Sequence, residues 1–159
     1  MHPVNTLSLP PALAGTLEGV VTATGASRHP WWIIGSAATV LQGARPLDAA
    51  DVDVVMSPED ARRLLRERGL AVVSDGGSDR FRSEVFGRLT DSPLPIDIMG
   101  AFHIRRGAEW VRLRPTTREA ITFPFGAVFT PTLPELIEIT RNLGRPKDLA
   151  RAQMLEALR

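Results

Sequence analysis

IIGSAATVLQGARPLDAADVDVVM, residues 33–56, is the stretch on which the fold turns. With Trp31 and Trp32 before it, it opens as a β-prone apolar run at 31–34, read as a buried strand. Gly35-Ser36 closes that strand. Residues 37–42 have helical composition, and Gly43 to Pro46 breaks the helix. Residues 48–51 are a loop or the entry to the next strand. Asp51-Val52-Asp53-Val54-Val55 then alternates with the period of a strand, so both aspartates face one side and Val52 and Val54 the other. On one strand face the two carboxylates start roughly 6–7 Å apart at the backbone. A third aspartate with apolar neighbours, Asp97, follows in PLPIDIMG.

Upstream, residues 1–9 read as a loose lead-in. Pro10-Pro11 starts a helix with an apolar stripe at Ala12, Leu13, Leu17, Val20 and Val21, and Gly25 ends it. Downstream, Ser57-Pro58-Glu59-Asp60 is a helix start, with Ser57 as cap, Pro58 at the first helical position and Asp60 completing a capping box. That helix runs to about Arg68, with Gly69 just past its end. Strands are predicted at 70–73, at 81–89 with an interruption at Gly87, at 94–99 and at 110–113. Residues 121–129 hold one or two more. Polar turns fall at 75–79 and 90–93. Helices follow at 134–142, ended by Gly144, and from Pro146 with Asp148 in its first turn. The order predicts a mixed α/β (α+β) domain with an open sheet; there are too few βα units for a barrel.

The 159 residues suit a single domain over 1–159, with 134–159 a C-terminal helical segment packed on it. No apolar run reaches the roughly 18 residues needed to cross a bilayer. The N-terminus lacks the pattern of a secretory signal. The chain contains no cysteine, which excludes disulfides, thiolate catalysis and cysteine zinc sites. Three scattered histidines without ligand spacing argue against zinc altogether. A cytoplasmic protein without membrane contact is the expectation. The formal charge of +1 argues against non-specific nucleic-acid binding as the main task.

Three carboxylates on strands beside a Gly-Ser turn point to a hard cation and phosphate. Mg²⁺ takes oxygen ligands, commonly one or two carboxylates plus substrate phosphates. Gly35 allows backbone to approach a phosphate, and Ser36 offers a hydroxyl at a helix start. Asp97, apolar on both sides, is at least partly buried and needs a partner. The plainer alternatives are that the aspartates cap turns or pair with arginines, and that Ser36 is an N-cap.

The Ile-Ile-Gly-Ser turn, the helix after it, Asp51-Val52-Asp53-Val54-Val55 and Ile96-Asp97-Ile98 together resemble the polymerase-β-type nucleotidyltransferase superfamily. Gly144-Arg145-Pro146-Lys147-Asp148-Leu149 is similar to an Arg-x-Lys-Asp segment of its small minimal and abortive-infection groups. The resemblance covers residues 31–99 and implies a nucleotidyltransferase-like mixed open sheet flanked by helices, with C-terminal helices. It implies that Asp51, Asp53 and Asp97 are the metal-binding and catalytic carboxylates, with Mg²⁺ or Mn²⁺ as the ion. Gly35 and Ser36 would hold the nucleotide phosphates, and Lys147 would match a basic residue near the nucleotide. The activity implied is transfer of a nucleoside monophosphate from a nucleoside triphosphate to an acceptor such as a hydroxyl. A catalytically silent relative, binding a protein partner as an antitoxin-like component, stands as the alternative. An unrelated phosphate-binding or regulatory α/β domain is a third. The acceptor, the nucleotide, a homodimer and a protein partner all stay open.

The remaining basic and aromatic residues read more plainly. Arg62, Arg63, Arg66 and Arg68 form a solvated helix face. Arg105, Arg106, Arg112, Arg114 and Arg118, opposed in that stretch only by Glu109, read first as surface and second as a phosphate-facing rim. Arg80 and Arg82 flank Phe81 and are weaker candidates for the same site. Trp31 and Trp32 point opposite ways, and at least one packs into the core.

Overall fold

A computed structural model describes the backbone of residues 2–3 and residues 9–45, 47–73 and 77–159. Thirteen elements appear among them. A short strand β1 (His2–Pro3) is followed by helix α1 (Pro11–Thr24), strand β2 (Trp32–Ile34) and helix α2 (Gly35–Leu41). Next come β3 (Val52–Met56), α3 (Pro58–Glu67), β4 (Phe81–Leu89), β5 (Ile96–Arg106) and β6 (Glu109–Arg112). The chain closes with β7 (Glu119–Phe123), β8 (Gly126–Thr130), α4 (Leu133–Leu143) and α5 (Pro146–Glu156). None of these helices is long and apolar enough to cross a membrane.

The main sheet is open and mixed, in the order β2-β3-β5-β4, with β6 also paired to β5. β3 and β5 run parallel; β2, β4 and β6 are antiparallel to their neighbours. A second, smaller sheet, β1-β7-β8, lies beside it. The sequence reading did not anticipate that sheet, and its expectation of a loose lead-in over 1–9 needs correcting at His2–Pro3, where β1 joins β7 in parallel; residues 1 and 4–8 of that stretch lie outside the described residues. Residues 121–129 resolve into two strands whose hairpin the smaller sheet contains.

One face of the main sheet is lined by Ile33, Val52, Val54, Ile96, Ile98, Val85 and Leu89, packed with α1 and α3 into the larger core. α3 approaches closely at Gly87, where a β-carbon would run into the Leu65 side chain. The glycine that interrupts the β4 pattern is thus the seat of a helix rather than a break in the strand. The opposite face carries a smaller cluster of Ile34, Val55, Met99, Phe102, Ile104 and Leu143. Ala101, at φ 54°, is left-handed in the middle of β5. Across it the face alternation reverses, so Met99 and then Phe102 and Ile104 join the same cluster. β5 is therefore longer than the predicted 94–99.

Two local expectations change. Residues 70–73 do not form a strand; Val73 makes a single bridge to Phe86, and Leu70, Val72 and Val73 are exposed. That apolar run meets only this one bridge and stays unburied. The predicted turn at 75–79 lies partly outside the described residues, as does Pro46. Ser57 caps α3 as expected, accepting from the Asp60 amide at 3.1 Å. The Asp60 carboxylate turns away from the box, accepting instead from the amides of Arg28 and His29 at 2.9–3.1 Å. A tertiary pair of donors outcompetes the local one. Trp31 is buried edge-on to Phe129, and Trp32 is half-buried with its indole N–H on the Thr117 carbonyl at 2.8 Å.

Candidate active site

Strand register builds the site as a row across the sheet. Ile34 pairs with Asp53, Asp53 with Asp97, and Asp97 with Arg88. Alternation puts Asp53 and Asp97 on the face opposite the larger core, with Val55 and Met99 as the apolar row beside them. Asp51, just before β3, joins the pair. A ligand oxygen from each of Asp51, Asp53 and Asp97 lies within 4.8 Å of the others. Among the described residues this is the one cluster of three or more acidic or histidine side chains so arranged. Asp97 converges with Asp51 and Asp53 rather than pointing away.

The cluster lines a cleft of about 300 Å³ together with Arg82, Arg88, Arg145, Phe81, Phe86 and Phe102. A cleft of about 400 Å³, near Trp32 and Ser57, shares Phe102 with it but gathers no comparable carboxylate set. Chemistry rather than volume picks the site.

Each carboxylate has its own setting. Asp97 is only 7% exposed, and its need for a partner is met by Arg88. Nε of Arg88 donates to Oδ1 at 2.6 Å and NH2 to Oδ2 at 3.0 Å, a two-pronged fork. The hydrogen bond to Asp97 raises the Arg88 pKa above its ordinary value. Asp53 has no such partner. Burial pushes its carboxyl up to about 7, with further repulsion from Asp51 and Asp97 and partial relief from Arg145 and Arg151. The donor set fits a divalent cation: hard oxygen ligands close enough to share an ion, and a surplus of negative charge that the cluster itself does not neutralise.

Gly35 opens α2 at φ 74°, and a β-carbon there would lie 2.9 Å from Asp53 Oδ2. Its proximity to Asp53 comes from β2–β3 pairing, so the long 44–50 connection does not have to bring the two half-motifs together. Ser36 is the second residue of α2, not its N-cap, which is Ile34. Its buried side chain makes no hydrogen bond to another described residue. Lys147 is exposed on the first turn of α5. Two residues earlier, Arg145 lines the cleft and lies with its guanidinium 4.9 Å from the centre of the Phe81 ring.

Sequence reasoning missed Arg88 and the part played by Arg145. Arg88 has the clearer signal: it sits at the end of an alternating strand, where antiparallel pairing can bring it to the buried Asp97. Arg82 lines the cleft and stacks on Trp110 at 4.2 Å, whereas Arg80 turns to the Leu143 carbonyl at 3.2 Å.

The architecture is a polymerase-β nucleotidyltransferase-like fold. A protein of Thermotoga maritima assigned as a nucleotidyltransferase superposes with a TM-score of 0.70 at 18% identity, over 95% of this chain and 96% of that one. The lincosamide antibiotic adenylyltransferase LnuA, solved with lincomycin bound, gives 0.57 at 10% identity, over 96% and 99%. An antigenic nucleotidyltransferase-like protein from Paracoccidioides brasiliensis gives 0.52 at 15%, over 94% and 76%. No protein-family profile matches the chain, and no curated protein matches it by sequence.

Proposed function

We propose that this protein is a Mg²⁺- or Mn²⁺-dependent nucleotidyltransferase that moves a nucleoside monophosphate from a nucleoside triphosphate to a hydroxyl-bearing acceptor in the cytoplasm. The observation that carries the reading is the convergence of Asp51, Asp53 and Asp97 on one sheet face of this fold. The same convergence favours it over a silent, partner-binding relative, in which the third carboxylate has no reason to meet the other two.

Asp51 and Asp53 would hold the cation, and Asp97 would complete the set. A bound cation would supply charge neutralisation at the reacting phosphoryl group and lower the acceptor hydroxyl's pKa. The Gly35–Ser36 backbone and the Ser36 hydroxyl would bind phosphate oxygens of the triphosphate. Arg145, at the cleft wall, is a better placed cation for those phosphates than Lys147, whose role rests on resemblance alone. The acceptor oxygen forms a bond to the α-phosphorus, the bond to the β-phosphate bridge breaks, and pyrophosphate leaves. The acceptor's proton passes to Asp97, directly or through water.

Isothermal titration with Mg²⁺ and nucleotide tests the assignment. Asp53→Ala should abolish metal-dependent binding and turnover while the circular dichroism spectrum stays that of the wild type. Unchanged binding in that variant would sink the proposal.

A further inference from the structure

Arg88 and Asp97 are cross-strand partners that differ sharply in freedom. The Asp97 carboxylate is buried at the centre of the sheet, while the Arg88 side chain is 51% exposed. Both Asp97 oxygens are already engaged, at 2.6 and 3.0 Å. Such a fork approaches in the carboxylate plane and occupies the lone pairs a chelating ion would use. Asp51 and Asp53 have no comparable hydrogen-bonded cation. A divalent ion ligated by Asp97 must therefore sit beside a guanidinium or displace it, and like charges at such range repel.

We propose that Arg88 is a built-in counter-ion that competes with a second divalent cation for Asp97. This rests on the metal-dependent reading above. Without nucleotide, Asp51 and Asp53 take one cation while Arg88 keeps Asp97. When a triphosphate enters, the exposed guanidinium turns to its phosphate oxygens, the geometry a guanidinium matches well, and Asp97 is freed for the second cation. Arg88 thus couples nucleotide binding to assembly of the full metal set. It acts on the metal set through Asp97 and on the nucleotide through its phosphates.

The test is Mn²⁺ binding, followed by electron paramagnetic resonance and isothermal titration, on the wild type, Arg88→Met and Arg88→Lys. Folding is checked by circular dichroism melts. Without nucleotide, the wild type should bind one Mn²⁺, and Arg88→Met should bind a second or bind at least 10-fold tighter. Arg88→Lys should fall between them. With an α,β-methylene ATP analogue, the wild type should gain the second Mn²⁺. A gain of affinity is a result that mere structural damage does not produce. Arg88→Met binding no tighter than the wild type would overturn the inference and leave the metal-dependent reading standing. A wild type that binds no Mn²⁺ under either condition would overturn both. Should Arg88→Met not fold, the wild-type stoichiometry with and without the analogue decides: two ions without nucleotide, or one with it, would overturn the inference.

Discussion

A β-carbon placed on Gly35 would lie 2.9 Å from Oδ2 of Asp53, so the first residue of α2 and the central carboxylate of β3 share one close contact. Gly35→Ala is expected to act in two ways. A left-handed alanine costs roughly 1–2 kcal/mol, which urea denaturation would read. The added methyl also pushes Asp53 out of line, and Mn²⁺ affinity should fall at least 10-fold. A variant that loses stability but keeps its affinity would show that Asp53 does not depend on this contact.

Stability of the metal-free protein should fall as pH rises from about 4 to about 7. Asp53 titrates near 3.8 in the unfolded chain and at about 7 in the folded one, because burial, then Asp51 and Asp97, disfavour its charge. Between those values the folded state holds the extra proton, so raising the pH favours unfolding, with a slope of up to about 1.4 kcal/mol per pH unit. Solvent at the cleft mouth makes that an upper bound. Asp53→Asn should flatten this part of the curve in urea titrations with EDTA, and Mg²⁺ should restore the wild type above pH 7.

Asp60 acts in the opposite direction. Burial alone would raise its pKa, but the amides of Arg28 and His29, then Ser57 and Arg63, hold it below the usual value. Its contribution is therefore present above the unfolded value of 3.8 and is lost as pH falls through the lower folded value. Asp60→Asn should cost about 1–3 kcal/mol at pH 7, since a neutral amide with a single acceptor oxygen replaces the carboxylate that takes the Arg28 and His29 amides and pairs with Arg63. The gap to the wild type should close in strong acid. Thermal melts across pH would show it; equal stability at pH 7 would mean that residues 28–29 do not rely on this carboxylate.

Asp148 is fully buried and is held by Arg145, with Nε at 2.6 Å and NH2 at 3.0 Å, and by Arg151 at 3.6 Å. Arg145→Gln should destabilise the protein by about 3 kcal/mol, because it strips a buried carboxylate of its main partner. Arg145→Gln with Asp148→Asn should recover much of that loss. A double-mutant cycle by urea denaturation checks the coupling; additive losses would show that the two side chains act independently.

The helices and most strands were legible because their signals are local. Pro11, Ser57-Pro58 and Pro146 start helices, Gly69 and Gly144 mark ends, and Phe81 to Leu89 alternates through its glycine. The failures share one cause. The 70–73 run has strand composition but meets only one bridge. The β1–β7 pairing joins residues far apart in the chain, and a two-residue strand leaves no periodicity to read.

Asp51, Asp53 and Asp97 were readable as candidates because strand alternation dictates which way a side chain faces, and an aspartate between isoleucines stands out. Alternation along one strand says nothing about its neighbour. Only the parallel register of β3 with β5 sets Asp53 beside Asp97, and only the antiparallel register of β4 brings Arg88 to the same row. Gly35 was legible as a turn, but the pairing of Ile34 with Asp53 decides that it makes room for a carboxylate. The sequence by itself determined the elements and the acidic residues, through short-range propensity and period. Tertiary structure decided which charges meet, because that depends on register between strands separated by dozens of residues.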